Sequence, residues 1–183
     1  TNVAFDLEEY EDIEVRNAYQ ELVVKNKTIS EEDFLQAVWN KSRDNGRTPM
    51  QWDDSENAGF TTGKPWFKVS ERYPEINVEK ALEDRNSIFY YYKKLIGLRH
   101  TESLLTDGDY QLIMEEDAQI FAYLRTTDQE SWLVAANLSE QHRSTEELRK
   151  FAGNVKEIKI CNYERSSLEE DMRPYEAFMM RIR

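Results

Sequence analysis

The sequence predicts an α+β chain, with helices up to about residue 101 followed by a small antiparallel sheet or sandwich. Three observations predict it. Apolar residues recur every three or four positions through much of the first hundred residues, and the recurrence drops to two after residue 102. Between the helical stretches lies one long segment, 42–77, with no period at all. On this reading the chain divides into residues 1–101 and 102–183. Its 183 residues suffice for one core or two small units, but not for a complete (β/α)8 barrel, which takes about 250 residues.

The elements follow in order. A charged helix is expected from Glu8 to about Asn26, with Ile13, Val15, Tyr19, Leu22 and Val23 as its apolar residues. Ser30 offers an N-cap to a second helix. Glu31, Glu32 and Asp33 fill its first turn, where negative charge suits the dipole, and Phe34, Leu35, Val38 and Trp39 form its apolar face. Gly46, Pro49, Gly59, Gly63, Pro65 and Pro74 then punctuate an irregular segment of a length that is more often functional than not. Asn77 caps a short helix through Leu82. A stronger helix runs from Ser87 to about His100 with Ile88, Tyr91, Tyr92, Leu95 and Leu98 on its buried side. Beyond it, Tyr110, Leu112 and Met114 alternate with Gln111, Ile113 and Glu115. The runs 119–125 and 132–137 read as strands joined by a polar hairpin, and 155–161 and 177–182 complete the set. Residues 146–151 read as a helical turn or an irregular excursion.

With 24 Lys+Arg against 36 Asp+Glu, the net charge of −12 repels phosphate backbones and anionic lipid heads, so neither nucleic acid nor membrane is an expected partner. No apolar run approaches the roughly 20 residues of a spanning helix. The amino terminus carries no secretion signal, and a single cysteine, Cys161, fits a reducing compartment, so a cytoplasmic location is expected. Cys161 reads as a small buried or half-buried strand residue. His100 and His142 are too far apart in sequence to suggest a ligand set, so no metal is expected.

The most informative segment is Ser42-Arg43-Asp44-Asn45-Gly46-Arg47-Thr48-Pro49-Met50-Gln51-Trp52-Asp53. Two guanidinium groups and a Trp sit in a turn-rich setting. Arginine donors can bind hydroxyls while pairing with a carboxylate, and an indole face suits the C–H side of a pyranose. The same residues could instead form a structural loop in which the arginines pair with Asp44, Asp53 or Asp54.

That string, together with Asn57-Ala58-Gly59-Phe60-Thr61-Thr62-Gly63-Lys64-Pro65-Trp66, Ile76-Asn77-Val78-Glu79 and Phe89–Arg99, resembles the α-glucosidases of glycoside hydrolase family thirteen, in particular the oligo-1,6-glucosidase and dextran glucosidase group. Thr1-Asn2-Val3 and Tyr10-Glu11-Asp12-Ile13-Glu14 resemble the segment after that family's last barrel strand. Val134–Ser139 and Arg173-Pro174-Tyr175-Glu176-Ala177 resemble its terminal β-sandwich.

The resemblance implies that 1–101 is the last helical part of a (β/α)8 barrel and 102–183 an antiparallel β-sandwich. It implies a retaining, cofactor-free, exo-acting hydrolase of short α-linked gluco-oligosaccharides, with the oligo-1,6-glucosidase or dextran glucosidase type favoured over trehalose-6-phosphate hydrolase and sucrose isomerase. Retention needs a nucleophile and an acid/base about 5–5.5 Å apart. No Asp or Glu here lies in a motif resembling either, so no catalytic residue is assigned to this chain, and the chain alone is expected to be inactive. Three substrate-binding residues carry over. Arg43 matches an arginine on the non-reducing glucose, while Arg47 and Glu14 match residues near the leaving-group sugar. Glu14 could also be an ordinary exposed helix charge, and Trp52 and Trp66 could stack on sugar or simply pack. The implied partners are the oligosaccharide and an N-terminal barrel absent from this sequence, and the helix faces it leaves uncovered imply either self-association or partial mobility of the helical half. The alternative is a non-catalytic β-sandwich module acting in assembly or stability.

Overall fold

The computed structural model describes residues 2–183, and Thr1, the first residue of the Thr1-Asn2-Val3 match, lies outside the described residues. The chain forms two compact units, Thr1–Ser87 and Ile88–Arg183. The change of hydrophobic period near residue 102 and the division by compactness therefore fall at different places. The strong helix that precedes the strands belongs with them.

In the first unit, α1 spans Ile13–Tyr19 and starts five residues later than the sequence pattern predicts. Asp12 sets the start. Its backbone is extended and its carboxylate accepts the Glu14 N–H at 3.0 Å, which satisfies a donor the helix itself cannot. Leu7–Glu9 is a separate 3₁₀ turn closed by a reciprocal Asp6/Glu9 capping box. The later start leaves Ile13 exposed and turns Val15 inward. Gln20–Lys25 continues α1 as a wider π turn, ended by Lys27 at positive φ and by Thr28, whose N–H and hydroxyl both donate to the Leu22 carbonyl. Helix α2, Glu31–Lys41, begins where expected, with the Ser30 hydroxyl accepting the Asp33 N–H. It buries Phe34 against Tyr19, while Trp39 stays exposed. Val3, Phe5, Tyr10, Val15, Phe34 and Phe67 make the core of this unit. Edge-to-face ring contacts at 5.3 Å (Phe5–Tyr10) and 5.9 Å (Phe5–Phe67) pin the far end of the long irregular segment to the start of the chain. That segment holds only two 3₁₀ turns, Arg43–Gly46 and Glu56–Gly59, before α3 at Val78–Glu83. Asn77 caps α3 as its sequence suggests, accepting the Lys80 N–H at 2.9 Å.

The second unit opens with α4, Ile88–Thr101, and the short α5, Leu104–Asp107, which periodicity did not reveal. Strands β1 (Asp109–Ile113), β2 (Ile120–Thr126), β3 (Ser131–Asn137), β4 (Glu157–Cys161) and β5 (Ala177–Arg181) form one antiparallel sheet in the order β1-β2-β3-β5-β4. Both faces are covered. Ala122, Leu124, Leu133, Ala135, Phe178 and Met180 pack with Leu148 and Ala152 of α6 (Glu146–Ala152) and with Leu168 and Met172. Trp132, Val134, Ile160 and Met179 pack with Leu104 and the half-buried Tyr91, Leu95 and Leu98. A bulge between Ile158 and Ile160 lets β4 send Ile160 to one face and Ile158 and Cys161 to the other.

Two expected faces differ from those observed. Ile88 and Tyr92 lie outside, with Ile96, because Tyr91, Leu95 and Leu98 form the stripe that meets the sheet and Ile88, Tyr92 and Ile96 form a second one about 100° away. In β1, Ile113 is inside and Tyr110 and Leu112 are outside. Cys161 is half-buried, as its strand position suggests. Among the described residues no helix is long and apolar enough to cross a membrane.

Candidate functional site

The three residues singled out in the sequence lie in the first unit, on two segments about thirty residues apart that the fold brings together. Glu14 stands in the first turn of α1, and Arg43 and Arg47 stand on the 3₁₀ turn Arg43–Gly46 and its C-cap. That turn forms because Ser42, extended at φ −61 and ψ 141, caps it, accepting the Asp44 N–H at 3.1 Å.

Arg43 donates from Nε and Nη2 to the two carboxylate oxygens of Asp12, at 3.2 and 3.1 Å. Such a two-point fork fixes the plane of the guanidinium as well as its position. The Glu14 carboxylate lies 3.9 Å from the same Nη2. Asp12 is buried, whereas the side chains of Arg43 and Glu14 are 58% and 78% exposed, so the anchored guanidinium keeps an open surface beside a second, exposed carboxylate. Arg47 donates from Nη1 to Asp44 at 2.9 Å and is likewise partly exposed, while Asp44 has no exposed surface. Hydrogen bonding to Arg43 and that arginine's charge hold the Asp12 carboxyl below the usual carboxylate range against the opposing effect of burial. The same pairing raises Arg43, so both remain ionised through the physiological range.

The arginines are therefore paired, as a structural loop would have them, and exposed, as a binding surface would. The pairing partner of Arg43 is Asp12, whereas Asp53 binds its own neighbour Ser55 by amide and hydroxyl. Arg47 pairs with Asp44, one of the partners the loop sequence offers, and Asp12 is the partner that the sequence does not announce. A helix starting at Glu8, as the apolar period suggests, puts Asp12 inside it, whereas Asp12 is the N-cap of a helix that starts at Ile13. Its signal was an Asp just before an apolar-periodic run with Glu14 in the first turn.

Trp52 and Trp66, the two candidate stacking residues, are both exposed. The Trp52 amide donates to the Ala58 carbonyl at 2.8 Å and its carbonyl accepts the Glu79 N–H at 3.0 Å, so its backbone is committed to the loop and to α3. Trp66 tilts on Phe67 at 4.6 Å beside a groove of about 470 Å³ lined by Phe5, Glu9, Glu11, Lys64 and Lys68. Among the described residues no group of three or more His, Cys, Asp or Glu side chains is placed to hold a metal ion.

Comparison with known proteins sets this geometry in a family. A family model for the alpha amylase catalytic domain matches residues 4–108. The oligo-1,6-glucosidase of Heyndrickxia coagulans is 52% identical over 176 residues, covering 96% of this chain and 31% of that protein. The oligo-1,6-glucosidase of Parageobacillus thermoglucosidasius is 45% identical over 188 aligned residues, covering all of this chain and 33% of its own length. Among solved structures, the isomaltulose synthase of Klebsiella sp. LX3 superposes with a TM-score of 0.86 at 36% identity, over all of this chain and 33% of that one. The chain belongs to the α-amylase family, glycoside hydrolase family thirteen, in its oligo-1,6-glucosidase group, and spans about a third of the length of the relatives it matches.

Proposed function

We propose that this chain supplies part of the sugar-binding surface, and none of the catalytic carboxylates, of a cytoplasmic, retaining, exo-acting α-glucosidase that hydrolyses short α-linked gluco-oligosaccharides. The observation that carries this reading is the state of Arg43, which is gripped at two points by a buried carboxylate and yet 58% exposed. An arginine whose orientation is already fixed loses little freedom when a sugar hydroxyl accepts one of its remaining donors, so the contact is worth more than one from a mobile side chain. Nη1 of Arg43 makes no hydrogen bond within the described chain and is the group assigned to the non-reducing glucose. Glu14, exposed at its flank, and Arg47, one turn on, are assigned to the leaving-group sugar. The nucleophile and acid/base of a double displacement belong, on this reading, to the two thirds of the relatives' length that this chain does not span.

The test is kinetic, in a full-length enzyme containing this chain. Arg43→Ala is expected to lower kcat/KM on isomaltose and maltose alike by about ten- to a hundredfold, the loss of one charge-assisted hydrogen bond in a closed site. Glu14→Gln and Arg47→Gln are expected to change the ratio of the two substrates instead. A small effect of Arg43→Ala on both sugars contradicts the assignment. Accumulation of an isomerised disaccharide from sucrose would move the reading toward the activity named for the isomaltulose synthase.

A further inference from the structure

We infer that Asp44 is the positioning residue that joins the two halves of the candidate site; the inference rests on the reading of Arg43, Arg47 and Glu14 as its sugar-binding residues. The Asp44 side chain has no exposed surface, and each of its oxygens is engaged. Oδ2 accepts the backbone N–H groups of Glu11 at 2.8 Å and Asp12 at 2.9 Å, and Oδ1 accepts Arg47 Nη1 at 2.9 Å. Three consequences follow from one carboxylate. It fixes the backbone of Asp12, whose own carboxylate forks onto Arg43. It fixes the entry to α1, where Glu14 stands two residues later. It also holds Arg47 directly. Along the network the order is Arg43, Asp12, Asp44, Arg47, two ion pairs joined by the Asp12 amide, so each guanidinium is oriented by a buried carboxylate from the opposite segment or from its own turn.

No neutral isostere reproduces this arrangement. An asparagine at 44 has one acceptor oxygen and one NH2 group. It can face the two amides or Arg47 with its oxygen, and must then point N–H donors at donors on the other side. Asp44→Leu, of similar shape but with no acceptor, removes all three bonds, and its expected effect is a loosened Asp12 and a released Arg43.

Nuclear magnetic resonance of this chain reads that release directly through the Arg43 Nε–H, which is bonded to Asp12 in the native arrangement. In Asp44→Leu its exchange with solvent is expected to quicken at least tenfold while the signals of residues 88–183 stay in place. Arg47→Gln, which leaves both amide bonds to Asp44 intact, is expected to keep the native rate. An unchanged Arg43 Nε–H in Asp44→Leu overturns the inference, whereas wild-type kinetics of Arg43→Ala overturn only the sugar-binding reading. If Asp44→Leu does not fold, the native chain still decides. The amides of Glu11 and Asp12 are expected to exchange at least tenfold more slowly than unstructured amides, and exchange of both at the unstructured rate overturns the inference.

Discussion

Arg165 uses every donor it has. Its Nε and Nη2 bond both oxygens of Glu176, at 2.5 and 2.9 Å, and its remaining N–H groups donate to the carbonyls of Ser167, Glu170 and Asp171. Both side chains are almost wholly buried, and Glu176 also accepts the Arg173 N–H at 2.8 Å. Burial alone would raise the Glu176 carboxyl, but the bonds and charge of Arg165 and the Arg173 amide outweigh it and hold the group below its ordinary value. The sign follows: with the folded pKa depressed, this contribution is fully present above the unfolded carboxylate value of about 4.3 and is lost as pH falls through the folded one. Removing one partner leaves a buried charge alone, so Arg165→Met is expected to cost about 3–5 kcal/mol. A denaturant titration followed by the fluorescence of the buried Trp132 measures it, and a midpoint close to that of the native chain would contradict the structural role. Little of this pair was legible in the sequence, where Glu176 stood out only within the Arg173–Ala177 string. The same is true of Asp12 and Arg43, separated by 31 residues, because the sequence displays no distances across the fold. Ser30 and Asn77 were legible because a cap acts on residues three positions away.

Among the elements, the long irregular segment bears most directly on the site. Asn57, Ala58 and Gly59 follow one another at positive φ, an arrangement costly for the first two. The surroundings over-determine it. The Ala58 carbonyl accepts the Trp52 amide, the Asn57 side-chain amide reaches the carbonyls of Thr61 and Gly63, and Ala58 is wholly buried. Gly59 has a further constraint, since a Cβ there would stand 2.5 Å from an Asp53 carboxylate oxygen. Asp53 in turn binds Ser55 by hydroxyl and amide, which hold its carboxyl below the ordinary range. Gly59→Ala is therefore expected to destabilise the first unit by more than the roughly 1 kcal/mol of a left-handed alanine alone. Faster amide exchange at Val78 and Glu79, whose N–H groups end on Gln51 and Trp52, would report it, and native exchange there would show that the loop accommodates the methyl. The sequence announced this segment as irregular through its Gly and Pro residues, but gave no sign that an alanine would share the left-handed turn. The helix faces were legible to a similar depth. Period 3.6 located α4, but with two apolar stripes available, Tyr91–Leu95–Leu98 and Ile88–Tyr92–Ile96, only the position of the sheet decides which is covered.

At the scale of the whole molecule, one sheet and its covering helices form the second unit, while the paired arginines and their carboxylates belong to the first. The outer stripe of α4 and the indole of Trp66 remain open, and the chain spans about a third of its relatives' length. On the proposed reading, the sugar-binding residues lie on this chain and the reacting carboxylates do not. An arginine can orient a sugar from this unit, but a double displacement needs two carboxylates about 5–5.5 Å apart across the scissile bond. The most direct test is the hydrolysis of p-nitrophenyl α-glucoside by the pure 183-residue chain. The expected result is no turnover above the buffer rate, with or without the Arg43→Ala change. Turnover that is abolished by replacing a carboxylate of this chain would contradict the account at its centre.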